Sequence, residues 1–160
     1  MTAFTDSFGF NKGTKAYTSN YTNRFTVIEI DLDFAKIAAA RVDAGVAALD
    51  SGDTLVLCQL PKGTFVLNGS ATLVKAEGAA ANIDVGIGGG TTDFWIDGFD
   101  LNGTVGSVGG YADTAAVLAT ADTNVLLTLN SANIDAARVK IQLAVIDMGA
   151  DQGTIPNSQT

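Results

Sequence analysis

The feature that most constrains the fold is a period of two in the apolar residues near the end of the sequence. Four apolar residues there alternate with Lys140, Gln142 and Ala144, namely Val139, Ile141, Leu143 and Val145. Successive side chains of an extended strand point to opposite faces, so this alternation predicts a strand with one buried face. Because the run is too long for a frayed edge, we expect this strand at the centre of a sheet.

The same period recurs along the chain. In residues 26–34, four apolar residues face one way and three acids the other: Ile28, Ile30, Leu32 and Phe34 against Glu29, Asp31 and Asp33. Further strands are predicted at 54–60, 65–73, 82–88, 93–99, 114–119 and 125–129, about eight in all, with turn residues between them. In the strand over 65–73, the predicted common face holds Phe65, Leu67, Ala71 and Leu73, and Gly69 marks a bulge or bend.

One segment alone has helical character. Residues 35–49 are rich in alanine, and their pattern predicts one or two helical turns that stop at Gly45. Parallel strands need a longer connection, usually a helix, between each pair. The sequence therefore predicts a mostly β protein, an antiparallel β-sandwich of the jelly-roll kind, with an extended N-terminal arm and at most one short helix.

Composition narrows the classes of partner. The 160 residues carry a net charge of -8, and of the 17 carboxylates only Glu29 and Glu77 are glutamates. Such a surface repels nucleic acid and anionic lipid, so neither is an expected partner. No apolar run is long enough for a membrane span and no secretory signal is recognisable. The single cysteine excludes an internal disulfide, so we expect a protein made in a reducing cytoplasm.

The first residues differ from the rest. Residues 1–24 hold five aromatic side chains that as a set follow neither a helical nor a strand period: Phe4, Phe8, Phe10, Tyr17 and Tyr21. Exposed apolar clusters favour association, so we interpret this segment as an arm whose aromatic residues bind a partner. The predicted organisation is an arm at 1–24, a β-sandwich at 25–148 and a flexible polar tail at 149–160.

The sequence offers few candidates for catalytic or metal-binding residues. The sequence has no histidine, which excludes Ser-His and Cys-His pairs and histidine-based metal sites. Cys58 lies in an apolar strand and is predicted to pack in the core. The row Glu29, Asp31 and Asp33 has a spacing that could hold a hard cation, but solvent-facing strand residues have the same pattern. We predict no enzyme activity and no catalytic, cofactor or metal site.

Two loop motifs have simple structural interpretations. Asp97, Asp100, Asn102 and Gly103 resemble a calcium loop without its later glutamate, and a turn rich in Asx residues explains them better. The glycines Gly86, Gly88, Gly89 and Gly90 follow a strand as a phosphate loop would. A phosphate loop must open a helix, whereas the sequence here continues as a strand, so a glycine hairpin is favoured.

Four linked segments carry a resemblance over residues 25–147. They are FTVIEIDLDFAKIAAARVDAG, GDTLVLCQLPKGTFVLNGSATLV, NIDVGIGGGTTDFWIDGFDLNG and NVLLTLNSANIDAARVKIQLAVIDMG. In this order they resemble the head decoration, or cement, proteins of tailed bacteriophages. The resemblance implies a jelly-roll or sandwich body, a homotrimer on the outer capsid surface of the virion, and contacts with several major capsid protein subunits.

The sequence is also compatible with other functions. The chain could be another virion part, such as a head spike or tail-fibre knob. It could also be a carbohydrate-binding sandwich, for which Phe94, Trp95 and Phe99 are the local aromatic candidates. A glycosidase is the weakest alternative, because no pocketed carboxylate pair stands out.

Overall fold

The computed structural model describes residues 24–88, 91–109, 117–131 and 133–147. This part of the chain contains nine strands and one helix. In chain order they are β1 (Arg24–Asp33), α1 (Phe34–Asp43), β2 (Thr54–Leu60), β3 (Thr64–Lys75), β4 (Asn82–Ile87), β5 (Ile96–Asp100), β6 (Val108–Gly109), β7 (Val117–Leu118), β8 (Thr123–Leu129) and β9 (Arg138–Asp147). The predicted arm lies outside the described residues except for Arg24, which already pairs with Asp147. The predicted tail lies outside them entirely.

The strands form two antiparallel sheets. Sheet A has the order β1-β9-β3, and the far edge of β3 is shared by the short strands β6 and β7. Sheet B has the order β2-β8-β4-β5. Successive strands from β1 to β4 alternate between the sheets, and β8 and β9 do so again. With β6 and β7 counted as one position, this is the strand order of a jelly roll, which confirms the predicted fold class.

The inner faces of the sheets carry the core that the period of two predicts. β9 lies between β1 and β3 at the centre of sheet A. Its four alternating residues are buried, as are the matching residues of β1 and β8: Val139, Ile141, Leu143, Val145, Ile30, Leu32, Val125, Leu127 and Leu129. Burying an aliphatic side chain of this size contributes roughly 1.5–3 kcal/mol, so this interior is the main source of stability.

The helix begins and ends where its sequence dictates. The Asp33 carboxylate caps α1 by accepting a hydrogen bond from the backbone N–H of Lys36, at 3.3 Å. Gly45 follows the helix with a φ of +66°, a conformation that glycine adopts at little cost. Phe34 is the helical residue that is buried in the core. The expected short helix is confirmed over Phe34–Asp43.

In β3 the predicted face is half wrong. Ala71 and Leu73 point inward, but Val66 takes the buried position and Leu67 is exposed. The pairing with β9 shifts register between Val66 and Asn68, and such a bulge reverses which residues face the core. The bulge precedes Gly69, where Trp95 approaches so closely that an added Cβ would lie 2.9 Å from the Trp95 Cβ.

Candidate interaction surface

The outward-facing side chains of β1, β9 and β3 form the outer face of sheet A. The register places Phe25 opposite Ile146, and Ile146 opposite Phe65, so an apolar row crosses all three strands. Cross-strand neighbours at this distance contact one another directly. Most side chains at this end of the outer face are apolar, although the exposed Asn68 lies opposite Ala144. We call this end the apolar half, and its members are Phe25, Val27, Phe65, Leu67, Ala144 and Ile146.

Much of the apolar half is accessible to solvent. Phe25 is 56% exposed, and Val27 and Leu67 are exposed as well. Phe65, Ala144 and Ile146 are half-buried. Single exposed apolar residues are normal on protein surfaces, whereas a contiguous group is typical of an interaction site.

The other end of the same face is charged. The Arg138 guanidinium donates two hydrogen bonds to the Asp31 carboxylate, at 2.8 and 2.5 Å. The Glu29 carboxylate accepts one hydrogen bond from Lys140 at 3.1 Å and one from Gln142 at 2.9 Å. This polar half consists of Glu29, Asp31, Asp33, Arg138, Lys140 and Gln142.

These contacts account for the acidic row noted in the sequence. The hydrogen bond from Gln142, and then that from Lys140, lower the pKa of Glu29. The hydrogen bonds from Arg138 lower the pKa of Asp31, and the same pair raises the pKa of Arg138. Among the described residues, no group of three or more acidic or cysteine side chains is arranged to hold a metal ion. Glu29 and Asp31 form cross-strand ion pairs instead, whereas Asp33 caps α1 and pairs with Lys36.

Strand β1 is also a sheet edge. Its ten residues pair with β9 in an unbroken register, and no second partner strand lies beside it in the described residues. The edge strand β2 differs, because its pairing shifts between Val56 and Cys58. A bulge of this kind discourages a further strand from adding, and β1 has none. Among the described residues, the edge of β1 therefore has unpaired backbone groups that can accept a further strand.

The structure locates most of the other residues that the sequence singled out. Cys58 is buried, which confirms its predicted place in the core. Trp95 and Phe99 are buried too, and Phe94 packs edge-on against Trp95 with ring centroids 5.6 Å apart. The aromatic residues of the arm, Phe4, Phe8, Phe10, Tyr17 and Tyr21, lie outside the described residues.

Trp95 lines one end of the interior. A cavity of about 220 Å³ lies there, bounded by Leu60, Val66, Ile87, Trp95, Ala119, Thr120 and Thr123. Typical ligand pockets start at about 300 Å³. The cavity is therefore too small to favour a binding site for a sugar chain or a larger cofactor.

Both loop motifs have the structural roles expected of them. The Asp100 carboxylate accepts a hydrogen bond from the Asn102 N–H at 2.8 Å, which is an Asx turn. The glycine-rich segment leads from β4 into its antiparallel partner β5 rather than into a helix. Gly86 is required there, because an added Cβ would lie 2.2 Å from the carbonyl oxygen of Thr91.

Sequence reasoning missed one residue with a structural role. The Glu77 carboxylate accepts hydrogen bonds from the backbone N–H groups of Asp135, Ala136 and Ala137, the closest at 2.6 Å. It thus fixes the loop that leads into β9. The rarity of glutamate in this sequence was the available signal, since both glutamates hold β9 or its approach through their side chains.

Comparisons with known proteins concern the fold. No protein-family model matches this chain, and no curated protein does. A chain in the acidic stable capsid structure of Helicobacter pylori bacteriophage KHP30 matches with a TM-score of 0.55 and 15% identity, over 78% of this chain and 89% of that one. A chain in the capsid asymmetric unit of cyanophage Pam1 matches with a TM-score of 0.56 and 16% identity, over 89% and 96%.

At this identity the likeness establishes a shared fold. The matched chains are of about the same size as this one, and the similarity covers most of each chain. In the described part of the chain, no helix has the length and apolar character needed to cross a membrane.

Proposed function

We propose that this chain is a structural protein of a phage virion that decorates and stabilises the capsid by binding across neighbouring major capsid protein subunits. The observation that carries the proposal is the match over nearly the whole length of two chains from phage capsids. The ordered segments of the sequence that resemble cement proteins support it independently.

The physical properties of the chain suit this role. A rigid sandwich that contacts several capsid subunits at once resists their separation, because its contacts act together. The net charge of -8 opposes contact with packaged nucleic acid. We therefore place the protein on the outer surface of the shell, as a homotrimer, after synthesis in the host cytoplasm.

Residues 1–24 are proposed as the attachment segment, through which each copy grips a neighbouring molecule of the shell. Its five aromatic residues are of the type that contributes most to binding at interfaces. They are Phe4, Phe8, Phe10, Tyr17 and Tyr21.

The sugar-binding alternative depended on Phe94, Trp95 and Phe99. These side chains are packed in the core or against it rather than forming an exposed platform. No specific observation favours a spike or a tail-fibre knob over a capsid protein.

A titration of purified protein onto undecorated capsids of the phage that encodes it tests the proposal. We expect saturable binding by the full chain, and much weaker binding after deletion of residues 1–23 or after Phe4, Phe8 and Phe10 are all changed to Ala. Circular dichroism is the control for folding, because every described strand starts at or after Arg24. No binding by the full chain refutes capsid decoration. Tight binding by a folded truncated chain refutes only the attachment role. The glycine-rich segment at 100–113 would then be the first place to look for the attachment site.

A further inference from the structure

In the described part of the chain, no strand or helix covers the apolar half of the outer face of sheet A. Phe25, Val27 and Leu67 remain exposed, although each lies beside other apolar side chains of the same face. Beside them runs the open edge of β1, ten residues long and without a bulge. A surface of this kind accepts an extended segment, which pairs with the edge and places alternate side chains on the face.

Charge distinguishes the segment that fits. Residues 1–23 contain Lys12, Lys15 and one acid, Asp6, for a net charge of +1. The whole chain carries a net charge of -8, so the residues after 23 carry -9. The aromatic segment is thus the basic part of an acidic chain, and the net negative charge of a second copy attracts it.

The spacing of this segment matches β1. Phe8, Phe10 and Lys12 occupy alternate positions, as do Phe25, Val27 and Glu29. An extended strand laid beside β1 can place both phenylalanines on the apolar half and the lysine next to the Glu29 carboxylate. Glu29 already accepts from Lys140 and Gln142, and a carboxylate has acceptor sites for about four donors.

The length of the segment and the position of its glycines decide whether it binds β1 of its own chain or β1 of a second copy. Residues 14–24 contain neither glycine nor proline, so the nearest glycine to β1 is Gly13. A reversal at Gly13 returns residues 1–12 alongside 14–24 and leaves Phe8 and Phe10 short of the strand that begins at Arg24. Fully extended, 23 residues span roughly 75 Å, which is ample to reach another molecule.

We propose that the N-terminal segment of one copy binds the apolar half and the β1 edge of a second copy, with Phe8 and Phe10 on the apolar half and Lys12 beside Glu29. The inference rests on the attachment role proposed for residues 1–24, but it does not depend on the capsid. It names the neighbouring molecule as a second copy of this chain. A head-to-tail contact of this kind can close into a ring, as a trimer requires.

Cross-linking without capsids tests the proposal. One full-length preparation carries F10C and a tag, and a second, untagged preparation carries V27C. The two are mixed and treated with a short thiol cross-linker. The matched control replaces the second preparation with V42C, because Val42 is 72% exposed but lies on α1, away from the outer face. A mixture of the tagged F10C protein with unmodified protein measures the background of cross-linking through the buried Cys58.

We expect several-fold more product between the tagged and untagged chains with V27C than with V42C. Equal yields at the two positions overturn the proposal. At high dilution, a chain that carries both F10C and V27C should not form an intramolecular cross-link. Such a cross-link would show that the segment binds the β1 strand of its own chain.

Native mass spectrometry gives a second measurement. We expect V27E to lower the oligomeric state of the full chain and V42E to leave it unchanged. If V27E keeps the oligomeric state of the unmodified protein, the apolar half is not the receptor. The capsid titration stands apart from both results, so a failure of this inference can be told from a failure of the proposed function.

Discussion

The two faces of sheet A are made by the same three strands, yet they differ in kind. The inner face is mostly apolar and closed, with Ile30, Ile141 and Leu143 at most 1% exposed. The outer face is divided, with ion pairs at one end and exposed apolar side chains such as Phe25 at the other. The inner face is sufficient to explain why the chain folds. The outer face is partly exposed to solvent and carries the surface proposed to bind a second copy.

This difference orders the expected effects of mutation. Removing atoms from the inner face leaves a cavity, whereas removing them from the outer face changes little in the isolated protein.

Ile141→Ala should lower the free energy of unfolding by roughly 2–5 kcal/mol, the range for emptying a packed aliphatic site. Ile141 faces Ile30 and Ala71 in the register, and all three are buried. Urea unfolding followed by circular dichroism measures the loss. The matched control is Ile146→Ala on the outer face of the same strand, which should cost clearly less. A loss of under about 0.5 kcal/mol at Ile141 would place that side chain in solvent and reverse the assigned faces.

Glu77→Gln should cost about 1–3 kcal/mol, the range for weakening charge-assisted hydrogen bonds. The backbone N–H groups of Asp135, Ala136 and Ala137 would lose a charged acceptor. Faster hydrogen exchange at these three amides, measured by NMR, would locate the effect. Asp97→Asn, on an exposed residue of β5, serves as the control and should leave both stability and exchange unchanged. Unaltered protection at residues 135–137 would contradict the role given to Glu77.

Glu29→Gln and Asp31→Asn should each cost less than about 1 kcal/mol, because exposed ion pairs are screened by water and salt. Their pKa values are lowered in the folded protein, so this contribution is present at pH above their ordinary values of 4.5 and 3.8. It is lost as the pH falls through the lower folded values. As the pH is lowered from 6, the denaturation midpoint should decrease less steeply for the variant that carries both substitutions than for the unmodified protein. A slope equal to that of the unmodified protein would show that these pairs contribute nothing.

The sequence predicted those parts of the fold that depend on local pattern. The alternation over 139–145 identified the central strand, and TLVLCQL matched β2 residue for residue. The predicted stop at Gly45 correctly bounded a helix that is weakly periodic, whereas its cap at Asp33 was not predicted. In each case the deciding interaction lies within a few residues of the pattern, so the sequence contains the needed information.

Contacts between distant segments could not be predicted in the same way. Leu67 faces outward because the pairing of β3 with β9 contains a bulge. Gly69 correctly predicted a bulge or bend in this strand, but not that the bulge precedes Gly69 and reverses the face that holds Leu67. Glu77 bonds backbone groups nearly 60 residues further along the chain. The division of the outer face becomes evident only when β1, β9 and β3 are placed in register. The alternation of β1 and β9 was predicted correctly, but the sequence did not show which strands lie beside them.

The central position of β9 has a consequence for how the chain reaches its fold. β1 is made early in synthesis, yet its partner comes late, since Asp31 and Arg138 are 107 residues apart. Until β9 emerges, β1 and β3 have no strand between them, and sheet A cannot close. Folding dominated by such non-local pairing takes milliseconds to seconds. During that interval both edges of β1 are exposed to neighbouring nascent chains, so the yield of soluble protein should depend on expression rate and temperature.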